Sequence, residues 1–295
     1  NYMYSDEIIK NDILEVTATD ADNDALSFSL SGTDASSFNI STTGSLSFKN
    51  TPDFDQKDEY SVNIVVSDGK SNISKSLVVF IDRFCTDTLL GLSVCIEDEK
   101  SYDGSYNRDR DYDTWHDWDG DCQNNRQEVL ISENLPGNQI TFTAASGTCT
   151  VATGKWYSKF NDKEYTSASD VSIDHMVPLS ESHYSGAWKW SQKRKLIFAN
   201  SINLDEHLIA VYGPSNSEKS NCSPGPNSSW SGKQQCGPNS GASSEAKETW
   251  MPENTAYACE YLEDYVKVKS HFRLGIDATE KANIESQYSE NSCSN

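Results

Sequence analysis

The reading turns on Asp174-His175-Met176-Val177-Pro178-Leu179, directly after a short apolar step ending at Ile173. Neighbouring side chains on a strand point to opposite faces, so an Asp-His pair at a strand end can hold a metal with one residue and activate water with the other. Alone, the dipeptide equally suits a structural histidine with satisfied hydrogen bonds. The downstream spacing narrows the choice. His207-Leu208-Ile209-Ala210-Val211 reads as a second short strand, and Asn216-Ser217-Glu218-Lys219-Ser220-Asn221 as the start of a helical turn. Strand, strand, helix, with Asp-His first and Asn-x-x-Lys last, can bring a carboxylate, an imidazole and an amide together around one metal.

Two further blocks precede that core in order: Trp118-Asp119-Gly120-Asp121-Cys122-Gln123-Asn124-Asn125-Arg126-Gln127-Glu128-Val129-Leu130 and Gly154-Lys155-Trp156-Tyr157. On these stretches the segment from about 102 to 290 resembles secreted bacterial HNH nucleases, the His-Me finger group related to the GmrSD type. The resemblance implies an α+β His-Me finger (ββα-metal) fold and a site assigned residue by residue. Asp174 matches the first metal ligand, Asn216 the ligand on the helix and His175 the general base. Lys219 matches a base that contacts phosphate beside the metal. His207 stands where many such enzymes carry Asn, which leaves it to orient His175 or the loop. The chemistry is consistent with those roles. Phosphodiester hydrolysis needs an in-line water, charge relief on the phosphoryl oxygens and help for the leaving oxygen. A neutral imidazole can take the proton of the water. Oxygen ligands favour Mg²⁺ or Mn²⁺ over zinc.

Another acidic cluster lies just upstream. Asp117, Asp119, Asp121 and Glu128 fall at positions 1, 3, 5 and 12 of a calcium-loop spacing, but position 6 is Cys122 rather than the glycine such a loop uses. The alternatives are a calcium site, a hydrogen-bonding hub, or a secondary site in which Arg126 and Glu128 border the active centre. His116, His183 and His271 have no partners at meaningful spacing and read as surface or core residues.

Residues 1–83 differ in kind. They contain no Trp and no Cys, and read as alternating strands: Ile13 to Ala18, Leu26 to Leu30, Ser45 to Phe48, Tyr60 to Val66 and Ser76 to Ile81. Short strands at such spacing imply a β-sandwich. Acids cluster at the strand ends: Asp20, Asp22 and Asp24, then Asp53-Phe54-Asp55, then Asp68-Gly69. These are either solvated turn residues or oxygen ligands for calcium. The stretch resembles a bacterial cadherin-like repeat, which implies an Ig-type sandwich and calcium at Asp20, Asp22, Asp53, Asp55 and Asp68. The expected organisation is therefore two domains, a sandwich over 1–83 and an HNH-type nuclease with disulfides over 84–295.

All eight cysteines lie beyond residue 84: Cys85, Cys95, Cys122, Cys149, Cys222, Cys236, Cys259 and Cys293. An even count without a Cys-x-x-Cys pair points to disulfides and an oxidising compartment, so a secreted or periplasmic protein. Short loops favour Cys85–Cys95 and Cys222–Cys236, with residues 220–244 an exposed polar insertion. The chain begins at Asn1 without an apolar leader, as expected of a trimmed product. Its longest apolar runs are far too short to span a bilayer.

The chain has 45 acids against 24 bases, a net charge of −21. That argues against passive DNA binding through phosphate neutralisation, but leaves room for an enzyme that touches a few phosphates. Lys155, Lys159, Lys189, Lys193, Arg194, Lys195 and Lys219 are candidates for a local basic strip. No base-reading helix or zinc finger is visible, so sequence specificity should be low. The expectation is a monomeric, metal-dependent endonuclease acting on DNA, with RNA as a further substrate. The alternative is a non-catalytic calcium-binding surface adhesin on a degenerate nuclease scaffold, although Asp174, His175 and Asn216 are all retained. A secreted toxin ranks last, because no delivery domain is visible.

Overall fold

The computed structural model describes residues 2–4, 12–54, 56–97, 106–113, 115–145, 147–226 and 249–294. The chain divides into two compact units, Asn1–Arg83 and Phe84–Asn295.

The first unit holds β1 (Tyr2–Tyr4), β2 (Asp12–Glu15), β3 (Ser27–Ser31), β4 (Phe38–Ile40), β5 (Ser45–Phe48), β6 (Glu59–Ser67) and β7 (Asn72–Phe80). They form two sheets, ordered β1-β7-β6-β3 and β2-β5-β4. Phe38, Leu46 and Phe48 of one sheet meet Val62, Ile64, Leu77 and Val79 of the other in a common core. Alternation along β5 makes this possible, because Leu46 and Phe48 turn inward while Ser45 and Ser47 stay at the rim. Gly44 is forced at the turn before β5: its φ is +93°, and a Cβ there would lie 2.4 Å from the Val16 carbonyl oxygen. Two strands escape the alternation reading. β1 and β4 have three residues each, too few for a period of two to be visible.

The second unit contains β8 (Asp87–Leu89), β9 (Leu92–Glu97), α1 (Arg108–Asp111), α2 (Asn125–Ser132), β10 (Thr141–Phe142), β11 (Val151–Ser158), β12 (Lys163–Ser167), β13 (Val171–His175), α3 (Leu179–Tyr184), α4 (Gln192–Ala199), β14 (Leu208–Tyr212), α5 (Gly213–Lys219), β15 (Ser223–Pro224), β16 (Thr249–Trp250), α6 (Ala258–His271), β17 (Gly275–Asp277) and α7 (Ala278–Glu290). β13 and β14 pair antiparallel, with Asp174 opposite Ile209 and His175 opposite Leu208. α5 comes directly after β14 and packs on both strands. Pro214, at the first turn of α5, suits a helix start.

Beneath this pair lies a core of Val129, Leu130, Val151, Trp156, Val171, Ile173, Leu208 and Ala210. The helix α2 is stitched to it by polar side chains that satisfy strand backbone groups. Gln127 Oε1 accepts from Val151 N–H at 2.9 Å, and Glu133 Oε2, at the end of α2, accepts from Ala210 N–H at 2.9 Å. Trp156 donates its indole N–H to the Leu130 carbonyl at 2.7 Å. Gly154 must be small, since a Cβ there would come within 2.8 Å of the Trp156 ring. In α6, Ala258, Leu262, Tyr265, Val266 and Lys269, at helical spacing, are all buried. Lys269 ends in a satisfied polar hub of Glu181 at 2.8 Å, Glu280 at 3.0 Å, Ser185 Oγ at 2.6 Å and the Gly275 carbonyl at 2.9 Å.

Disulfides join Cys85 to Cys95, Cys122 to Cys149 and Cys259 to Cys293. Cys222 is also disulfide-bonded; Cys236, its expected partner, and most of the polar stretch 220–244 lie outside the described residues. Among the described residues no helix is long and apolar enough to cross a membrane.

Candidate active site

Asp174 and His175 end β13 and point to different surroundings, as alternation requires. Asp174 is 3% exposed and Lys219, from the last turn of α5, is fully buried. Lys219 Nζ donates to Asp174 Oδ1 at 3.0 Å and to the His175 carbonyl at 2.8 Å. Asp174 Oδ2 lies 2.9 Å from the same ammonium but outside hydrogen-bond geometry, and has no other donor. Burial pushes the Asp174 carboxyl up and the Lys219 ammonium down, while their mutual attraction opposes both shifts. Lys219 therefore does not present its charge to a substrate phosphate, as its position in the motif implies. It neutralises a buried carboxylate instead. Asn216 sits one turn earlier on α5 and is half-buried.

His175 is 8% exposed. Its Nε2 lies 2.8 Å from the carbonyl oxygen of Ala199 at the end of α4. A carbonyl only accepts, so Nε2 carries the proton and Nδ1 keeps its lone pair. Burial, reinforced by the nearby His207, Arg108 and Lys219, holds the imidazole pKa well below the ordinary value. One face of the ring stacks on Trp115, with centroids 5.3 Å apart and planes 12° apart. His207 meets it edge-on at 5.7 Å. His207 is fully buried among Phe198 and Phe272, gives Nε2 to the Phe198 carbonyl at 2.7 Å, and has its pKa pushed down to about 4 by burial. It braces the loop between α4 and β14 and does not reach solvent.

Arg126 donates to the carbonyls of Ala168 and Val171, both at 3.2 Å. Val171 starts β13, so Arg126 stands at the opposite end of that strand from His175. Five of the seven bases expected in the basic strip are engaged by other groups. Lys155 pairs with Glu164, Lys159 with Glu260 and Lys219 with Asp174, while Arg194 is buried over Trp190 and Lys195 is buried 3.7 Å from Asp111. In its place stands Arg108 of α1, which the motifs did not single out. It is exposed, its charge acts on His175, and it has no acidic partner among the described residues.

Carboxylate oxygens of Asp117, Asp119 and Asp121 lie within 4.8 Å of one another, and all three residues are exposed. Glu128, half-buried, has its carboxyl raised first by burial and then by those three acids; its Oε2 is buried without a hydrogen-bond partner. Cys122 adopts φ +75°, the left-handed conformation that glycine supplies in a calcium loop. In the sandwich the corresponding group is Asp20, Asp22 and Asp24. Asp68 does not join it, because its carboxylate accepts from the N–H groups of Lys70 and Ser71 within its own turn. Asp53 accepts from Gln56 at 3.0 Å and is also outside the group, while Asp55 lies outside the described residues.

The comparisons with known proteins match two separate stretches of the chain. Residues 3–81 match the model of a bacterial Ig domain. Residues 137–284 match that of the C-terminal domain of GmrSD restriction endonucleases. An uncharacterized secreted protein of Arthroderma benhamiae is 31% identical over 181 residues, which is 61% of this chain and 73% of the relative. Two crystal structures of human protocadherin-24 EC1-2 match with 26% and 27% identity and TM-scores of 0.23 and 0.24, over 24% and 27% of this chain. The chain spans about a third of the length of those two structures, 34% and 38%. A family match over half of the chain, together with a relative aligned over nearly three quarters of its length, identifies the protein as a member of the family defined by the C-terminal domain of GmrSD restriction endonucleases.

Proposed function

We propose that the protein is a secreted, metal-dependent and largely sequence-nonspecific endonuclease of the His-Me finger type that hydrolyses phosphodiester bonds of DNA. The observation that carries this reading is the state of His175. Its Nε2–H is committed to the Ala199 carbonyl and the ring is held neutral, so Nδ1 is a general base directed at one place. The antiparallel β13–β14 pair with α5 packed against both strands supports this reading.

The residues present fit a divalent cation. Asp174 offers a buried carboxylate oxygen, Oδ2, that accepts no hydrogen bond from the described residues although the Lys219 ammonium lies 2.9 Å away, and Asn216 stands on α5, which packs against β13. When bound there, Mg²⁺ or Mn²⁺ relieves charge on the phosphoryl and leaving oxygens. The chain's own residues do the rest. His175 takes a proton at Nδ1, Lys219 fixes the Asp174 carboxylate, and exposed Arg108 attracts the phosphate that Lys219 cannot reach. Secretion is supported by the disulfides and by the name of the fungal relative. The adhesin reading has no specific observation in its favour.

The reading includes calcium as a second cation, held by Asp117, Asp119 and Asp121, whose charges also act on the Glu128 carboxyl.

The test is to incubate the purified protein and its His175→Ala variant with plasmid and with RNA, with Mg²⁺ or with EDTA. The parent should cleave plasmid in Mg²⁺ and stop in EDTA. The variant should lose about a hundredfold to ten-thousandfold while keeping its circular dichroism. Near-normal cleavage by the variant would sink the assignment of the base.

A further inference from the structure

Trp115 belongs to none of the motifs, yet it touches the proposed base directly. A histidine held at one nitrogen can still pivot about that hydrogen bond, because a single contact fixes a point and not a plane. The Ala199 carbonyl supplies the point at 2.8 Å. The Trp115 indole supplies the plane, lying 12° from parallel with the imidazole at 5.3 Å. The edge of His207 closes a further side at 5.7 Å.

The support of Trp115 is itself tied to the same helix end. The N–H of His116, the next residue, donates to Asn200 Oδ1 at 2.9 Å. Asn200 is the residue after Ala199, and its own amide donates back to the Leu196 carbonyl at 3.1 Å. On the other side, Asn125 at the start of α2 donates its N–H to the His116 carbonyl at 2.8 Å. Consecutive residues at the end of α4 thus hold the imidazole and the segment carrying the indole in one frame.

We propose that Trp115 is a positioning residue for the hydrolytic reaction: by stacking on His175 it fixes the plane of the imidazole and so the direction of the Nδ1 lone pair. This rests on the nuclease reading. Its effect should fall on turnover and not on substrate affinity, because the ring face is spent on His175 and not on nucleic acid. Misplacing a reacting group by about 1 Å typically costs on the order of a hundredfold.

The experiment measures kcat and KM on a short oligonucleotide in Mg²⁺ for the full chain and for Trp115→Ala, Trp115→Leu and Trp115→Phe, alone and combined with His175→Ala. Trp115→Ala and Trp115→Leu should lower kcat by roughly tenfold to a hundredfold, leaving KM within about threefold. Trp115→Phe keeps a flat partner and should stay within about threefold of the parent. Trp115→Leu fills most of the space without a flat face, so it keeps the readout if the alanine variant fails to fold. The decisive arm is the double variant. If Trp115 acts only through His175, adding Trp115→Ala to His175→Ala should not lower the residual rate further. A further loss equal to that of the single variant, or Trp115→Leu as active as the parent, overturns the inference while leaving the nuclease reading intact. A parent that cleaves no nucleic acid, or His175→Ala at full activity, overturns the nuclease reading and the inference with it.

Discussion

Two carboxylate sites of the second unit have opposite physics. Asp174 is sealed from water and held by a fully buried lysine. Asp117, Asp119 and Asp121 stand in solvent, and their nearest donors are backbone N–H groups of their own loop, such as Gly120 and Cys122 on Asp117. The first arrangement fixes a charge in place at the cost of desolvation. The second leaves charge free for a cation from solvent. Residue type alone does not separate them, and the sequence offers both as candidate metal ligands, the second alongside the reading as a hydrogen-bonding hub.

The largest effects should come from the buried side of this comparison. Asp174→Ala and Asn216→Ala are expected to raise the Mg²⁺ concentration needed for half-maximal cleavage by at least roughly tenfold. Asp117→Ala should leave it unchanged. If Asp117→Ala moves that requirement and Asp174→Ala does not, the catalytic metal belongs to the exposed loop and the comparison is inverted.

Removing the cation from the buried pair tests the cost of sealing it. Lys219→Met leaves Asp174 without its partner and should destabilise the fold by about 3–5 kcal/mol, read by denaturant unfolding. Adding Asp174→Asn to that variant should restore part of the loss, because an uncharged amide is far cheaper to bury. Equal losses in the single and double variants would mean that packing of the lysine stem, and not its charge, holds α5 on β13.

Glu133 lies between the two extremes, half-buried and without a bonded cation among the described residues. Burial, only partly offset by the Ala210 N–H, pushes its pKa from 4.5 up to about 7. The folded state therefore keeps a proton between pH 4.5 and about 7 that the unfolded chain has lost. Stability should fall as pH rises through that window and level off above it, by up to about 3 kcal/mol. Glu133→Gln should flatten the slope and raise the melting temperature more at pH 8 than at pH 5. An unchanged slope would place the titrating group elsewhere, with Asp264, raised to about 6, as the next to examine.

How much of this was legible differs between the units. The alternation of β5 and of the middle of β6 marks the sandwich, since inward and outward residues take turns there, whereas β7 is exposed over Asn72–Ser76 and buried over Leu77–Phe80. In the second unit the Asp-His pair, the strand after it and the Asn-x-x-Lys spacing locate β13, β14 and α5. The fate of Lys219 was hidden, because nothing local says whether a lysine stem runs inward or outward. Trp115 and Arg108 were hidden for a related reason. They reach His175 across the fold through α1, α4 and the segment before α2, so no spacing within one motif brings them together.

The smallest effect should come from the exposed side. If Asp117, Asp119, Asp121 and Glu128 bind calcium, the ion stabilises the fold by binding the native state alone. Loops of this kind on extracellular modules bind with dissociation constants of about 0.1–1 mM. At ~10 mM calcium that corresponds to about 1.4–2.7 kcal/mol. The melting temperature should rise in calcium, and the rise should disappear in Glu128→Gln, which keeps the shape but removes the charge. The sandwich offers its own control. Asp20 already accepts from two backbone N–H groups and Asp24 is paired with Lys70 at 2.7 Å, so Asp22→Asn should leave the calcium response largely in place. A response that vanishes in Asp22→Asn and survives in Glu128→Gln would move the calcium to the sandwich. The exposed loop would then be a hydrogen-bonded turn whose charge costs stability with no ion to offset it.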